Sequence, residues 1–138
     1  MMKYYAIAAL LAGASADPSV KDKFAEGSEL RESLKVYGNM APAMTPINEK
    51  GDLDFSNLEK LAARFQEWGI KNVLVSGTAG ESVSFTYEER LLIVEEWLTI
   101  HKKYDLNIYV HVGMNSLQET ADLARRVTQF KEVKGIVS

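Results

Sequence analysis

The stretch VLVSGTAGES, Val73 to Ser82, sets an apolar run directly against a glycine-bracketed hydroxyl and then an acid. Val73, Leu74 and Val75 are β-branched or aliphatic throughout, the composition of a strand buried on both faces of a parallel sheet. Strands of this kind present their chemistry at the carboxyl tip, so Gly77, Thr78, Ala79 and Gly80 fall where a ligand would be met. Glycines let the backbone approach a ligand closely, Thr78 offers a hydroxyl, and amides at such a tip can hold an anion. By spacing alone the same residues also suit a plain strand-to-helix turn, and both readings stand at this point.

Working outward, apolar runs alternate with stretches of helical period, which is the βαβ signature. Leu58, Leu61, Ala62 and Phe65 follow an i, i+3, i+4, i+7 spacing, with Ser56 and Glu59 as a capping box ahead of them and Gly69 as the stop. Thr86 and Glu89 form a second box before Leu91, Val94, Trp97 and Leu98. Ser116 and Glu119 form a third before Leu117, Ala121, Ala124 and Val127. Strands are expected over about 39–44, 72–76, 107–112 and 134–137, with Pro42 weakening the first. The interval of about 30 residues between strands suits successive right-handed βαβ units. The expected class is therefore α/β. The sequence stops at Ser138, in or just after the fourth strand, which leads to the expectation that it is incomplete.

Composition narrows the function. With 138 residues, 46% hydrophobic and 25% charged, the chain suits one globular domain. A net charge of −3, from 16 basic and 19 acidic residues interspersed, supplies no basic stripe, so nucleic acid is disfavoured as a partner. Zero cysteines remove disulfides, thiolate nucleophiles and Cys-based zinc sites. The two histidines, His101 and His111, lack a neighbouring acid cluster, so no metal site is expected. The opening MMKYYAIAALLAGASA has Lys3, an apolar stretch and a small-x-small ending at Ala14 to Ala16. It reads as a signal peptide over residues 1–16, too short to span a bilayer stably. Residues 17–36 then read as a charged linker or weak helix.

Several ordered features carry a resemblance over residues 37–138: Thr45-Pro46 after the first strand, the turn from Gly77 to Glu81, Glu88-Glu89-Arg90 at a helix start, and His111-Val112-Gly113 followed by Ser116. Together they resemble the amino-terminal half of the pyruvate-dependent class I aldolases, the family of N-acetylneuraminate lyase and dihydrodipicolinate synthase. The HVG segment with the later Ser and Glu is more similar to the lyase branch. The resemblance implies a (β/α)8 TIM barrel, of which about the first three and a half βα units are present, and a homotetramer. It implies no cofactor, because a lysine imine itself serves as electron sink. It also implies small-molecule substrates, pyruvate and sialic acid, and cytoplasmic residence, which conflicts with the secretory route suggested by the leader.

On that resemblance Gly77, Thr78, Ala79 and Gly80 hold the pyruvate carboxylate. The family usually has two adjacent hydroxyl residues here; Ala79 keeps its amide and loses one side-chain bond, which would cost about 1.5–3 kcal/mol of binding. The family's Schiff-base lysine lies on the sixth strand and its assisting tyrosine near the end of the fifth, so no catalytic residue can be carried onto this sequence. Without a desolvated amine the covalent route is closed to these residues alone. Thr45, Glu81 and His111 are expected near the site: Thr45 at the end of strand one or capping the next turn, Glu81 positioning the turn, and His111 as a proton shuttle or a hydrogen-bonded structural residue. His101 is expected to favour a helix C-terminus, and Trp68 and Trp97 to serve packing. Three functional readings follow: part of a lyase that cleaves N-acetylneuraminate to N-acetylmannosamine and pyruvate, part of a related pyruvate aldolase or synthase, or a non-catalytic half-barrel that binds a partner.

Overall fold

The computed structural model describes residues 35–138, and the compact unit within it runs from Gly38 to Ser138. The expected leader and most of the expected linker lie outside the described residues. Four strands, β1 (Met40–Pro42), β2 (Asn72–Val75), β3 (Asn107–His111) and β4 (Gly135–Val137), form one sheet in chain order, all neighbours parallel. Between them run α1 (Leu58–Glu67), α2 (Tyr87–Ile100) and α3 (Leu117–Val127). The order β1-β2-β3-β4 with one helix per connection is the arrangement of the first units of a βα barrel.

Register assigns each strand residue to a face. Val73 pairs with Ile108 and Val75 with Val110, and this row, with Ala41, Ala43 and Val112, is buried. The helices cover it with Leu58, Ala62 and Phe65 from α1, Ile93, Val94 and Trp97 from α2, and Leu123, Ala124 and Val127 from α3. Phe65 and Trp97 stack with ring centroids 6.2 Å apart, an arrangement that adds about 0.5–1.5 kcal/mol to their burial. The opposite face carries Pro42, Leu74, Tyr109 and Gly135 in one row and, one step further along, His111 and Val137. Leu74 and Tyr109 are only half-buried. Among the described residues the helices pack on the face that carries Val73 and Val75.

Local physics corrects three expectations. The Ser56–Glu59 capping box does not form: the Asp54 carboxylate accepts from the Ser56 amide and starts a 3-10 turn, Phe55–Asn57, so the helix proper begins at Leu58. Glu59 is thereby left facing outward, where it accepts from Lys103. Trp68 is 64% exposed beside Arg64 and packs nothing in the core, because it falls past the last turn of α1. Leu117 is likewise exposed, at the first position of α3, outside the buried stripe of Thr120, Ala121, Leu123, Ala124 and Val127. The Thr86–Glu89 box forms in full, and Ser116 accepts from the Glu119 amide as expected. His101 caps α2, its Nδ1 2.8 Å from the Leu98 carbonyl. Gly69, at φ 70°, follows α1.

Candidate functional site at the carboxyl ends of the strands

β2 is followed by Ser76, which is buried and sits at φ 55°, a left-handed geometry that costs a non-glycine residue about 1–2 kcal/mol. This bend turns the chain out of the sheet and into Gly77, Thr78, Ala79 and Gly80. The amides of Gly80 and Ser82 donate to the Gly77 carbonyl at 3.1 and 3.3 Å, and that of Glu81 donates to Thr78 at 3.0 Å. The turn thus satisfies its later amides internally. The Thr78 and Ala79 amides donate to no group among the described residues, and both residues are exposed, whereas Gly77 and Gly80 are buried.

Thr45 decides where the turn sits. Its hydroxyl donates to the Gly80 carbonyl at 2.7 Å, fastening the β2 turn to the end of β1. The approach is close enough to require glycine: a Cβ on Gly80 would lie 2.9 Å from the Ala43 carbonyl oxygen and 3.2 Å from Thr45 Oγ1. Thr45 therefore acts as a fastener for the turn. Glu81 is exposed and left-handed, φ 52°, and leads the short 3-10 turn Ser82–Ser84. Its backbone sets the direction of the chain after the glycine turn.

His111 closes β3, one residue past the Val75–Val110 pair that precedes Ser76. Its ring lies against Gly113, whose added Cβ would fall 2.7 Å from the ring Cε1, and its Nδ1 is buried without a partner. Burial first, and then the nearby Arg90 charge, hold the imidazole below its ordinary value of 6.5, with a backbone hydrogen bond at Ser76 acting the other way. The ring is accordingly a neutral hydrogen-bonding group near pH 7.

Two side chains at this end of the sheet, Arg90 and Ser76, were given no site role by the sequence, although Arg90 stood in the Glu88-Glu89-Arg90 motif. Arg90, 2% exposed, sits on the apolar stripe of α2 with Ile93, Val94 and Trp97, and it donates to the His111 carbonyl at 2.6 Å and the Gly113 carbonyl at 2.8 Å. A basic residue in phase with a buried stripe is the signal that could have found it. Ser76 stood within the apolar run itself, and its strained backbone is invisible in composition. Every described lysine is exposed, so none offers the desolvated amine that imine chemistry needs. Among the described residues no cluster of His, Asp or Glu could hold a metal, and no helix is long and apolar enough to cross a membrane.

Parallel strands in chain order, each joined to the next through a helix, define a barrel-type α/β protein. The chain belongs to the dihydrodipicolinate synthetase family, which its residues 35–137 match. This is a family of class I aldolases, carbon–carbon lyases. The N-acetylneuraminate lyase of Homo sapiens is 35% identical over 97 residues, covering 70% of this chain and 30% of the relative. The solved N-acetylneuraminate lyase of Proteus mirabilis matches with a TM-score of 0.68 at 27% identity, covering 74% of this chain and 34% of that one. The lyase of Aliivibrio salmonicida gives 0.64 at 32% identity, over 69% and 31%. The chain spans about a third of the length of the relatives it matches.

Proposed function

We propose that this chain supplies the pyruvate-carboxylate subsite of an N-acetylneuraminate lyase, an aldolase that splits N-acetylneuraminate into N-acetylmannosamine and pyruvate through a lysine imine. The observation that carries the reading is the turn itself: the free amides of Thr78 and Ala79 lie at the tip of β2 while the Gly80 carbonyl is fastened to Thr45. Two amides and the Thr78 hydroxyl present donors and no acidic group of their own, which suits a carboxylate. The named lyases among the relatives support the substrate class. The imine-forming lysine and the assisting tyrosine belong to strands not represented in these 138 residues, and with them the whole protein would assemble as a homotetramer.

Binding and chemistry are tested separately. Titration of the isotopically labelled chain with pyruvate should shift the Thr78 and Ala79 amide resonances, saturably and in the millimolar range, and Thr78→Val should weaken that response. Borohydride reduction in the presence of pyruvate should trap no adduct on this chain and one adduct on a protein that continues through the sixth strand. Pyruvate shifts that are absent, or that map elsewhere, would remove the proposal. Passage into the secretory route belongs to the same reading of the leader; protein recovered from its native source should begin at Asp17, and an intact Met1 would overturn it.

A further inference from the structure

Among the described residues, the buried side-chain atoms without a hydrogen-bond partner are Ser76 Oγ, Arg90 Nε and His111 Nδ1. All three belong to one neighbourhood, the carboxyl ends of β2 and β3 and the first turn of α2 that packs on them. Burying a guanidinium is costly, and arginine in such a place is ordinarily matched by a carboxylate. The partners of Arg90 are instead two backbone carbonyls, of His111 and Gly113, and the Met114 sulfur. Packing alone would be met by leucine or methionine at that position of the stripe, at no desolvation cost.

The guanidinium fork spans the carbonyls at either side of Val112, and so it dictates the backbone path by which β3 leaves the sheet. That path puts the Gly113 α-carbon against the His111 ring, at the strand end beside β2, where Val75 pairs with Val110 immediately before Ser76 and the Ser76 backbone acts on the ring. Ser76 is the residue held left-handed, and strained geometry of this kind persists only where its surroundings over-determine it. We infer that Arg90 is a positioning residue for the ligand turn: through the 111–113 backbone and the His111 ring it holds Ser76 in the left-handed geometry from which the Gly77–Gly80 turn departs. The inference rests on the reading of that turn as a carboxylate subsite only for what the turn binds.

Amide hydrogen exchange and histidine ring resonances of the 138-residue chain test it. In Arg90→Met, the amides from Ser76 to Gly80 should exchange about tenfold faster or more while Ala62 and Phe65 in α1 keep their protection. The His111 midpoint should rise, since Arg90 is the charged group acting on the ring and burial and the Ser76 backbone are the remaining influences. In Arg90→Lys, which keeps the charge and loses the fork, the midpoint should stay low while the turn still loosens. Turn amides that exchange as in the parent chain, or a loss of protection shared equally with α1, would overturn the inference. Should Arg90→Met not fold, Gly113→Ala leaves Arg90 intact and displaces the ring. It should move the Ser76 to Gly80 resonances, and shifts confined to residues 111–114 would again overturn the proposal. A parent chain that takes no pyruvate but shows these effects would sink the functional reading and leave this one standing.

Discussion

At the scale of single residues, two backbone positions set the turn at the tip of β2. Gly80 is required by space, because the Ala43 carbonyl and the Thr45 hydroxyl would both crowd a Cβ placed there. Backbone atoms cannot swing aside, so Gly80→Ala should lower stability by about 1–3 kcal/mol in urea unfolding and loosen the Thr45 bond. An unchanged midpoint would show that the turn has room to move. Ser76 presents the opposite case, since its Cβ is tolerated at φ 55° and its hydroxyl has no partner. Ser76→Gly should therefore stabilise the chain by about 0.5–1 kcal/mol through relief of the left-handed strain, net of the greater freedom of glycine when unfolded. Destabilisation by that substitution would mean that the hydroxyl is bonded after all.

Elements divide between those whose periodicity is honest and those edited by their neighbours. In α2 the buried stripe runs Arg90, Ile93, Val94 and Trp97, so the expected Val94 and Trp97 stand, while Leu91 and Leu98 are only half-buried beside it. Trp97→Ala should cost about 3–5 kcal/mol, the range for truncating a buried large aromatic, and Trp68→Ala should change the unfolding midpoint little. Comparable losses in the two variants would contradict the assignment of Trp68 to the surface. The start of α1 shows why capping boxes are only half legible. Ser56 and Glu59 have the right spacing, yet Asp54, two residues ahead, takes the Ser56 amide first. A carboxylate competes well for such a donor, and burial of the Asp54 carboxyl is slight, so its hydrogen bonds hold it below its ordinary 3.8.

For the molecule as a whole, titration should report how the two ends of the sheet are held. His111 is depressed from 6.5, so the unfolded chain binds more protons than the folded one between the two values. Its contribution to stability is complete above pH 6.5 and declines as pH falls below that, down to the folded value. Asp54, and Asp105 beside Lys71, are lowered from 3.8, and their contributions persist above that value and are lost as pH falls through the folded ones. Urea midpoints measured against pH should therefore descend in two stages, and His111→Gln should abolish the upper stage alone. A single descent below pH 4 in the parent chain would show that the imidazole is not depressed.

Fold class, strand positions and two of the three helix starts were legible because they rest on local physics: alternation of apolar runs, 3.6-residue periodicity and side chains that cap the nearest free amides. The ordered motifs from Thr45 to Ser116 likewise carried the family, and the turn from Gly77 to Gly80 was visible as a feature at the carboxyl tip of a strand. What tertiary structure alone decided is which amides remain free, that Thr45 is a fastener reaching 35 residues along the chain, and that the helices pack on the Val73 and Val75 face of β2. It alone brought Arg90 to the His111 and Gly113 carbonyls. These are relations between groups distant in sequence and adjacent in space, set by strand register and by which face the helices cover, and no local pattern encodes them.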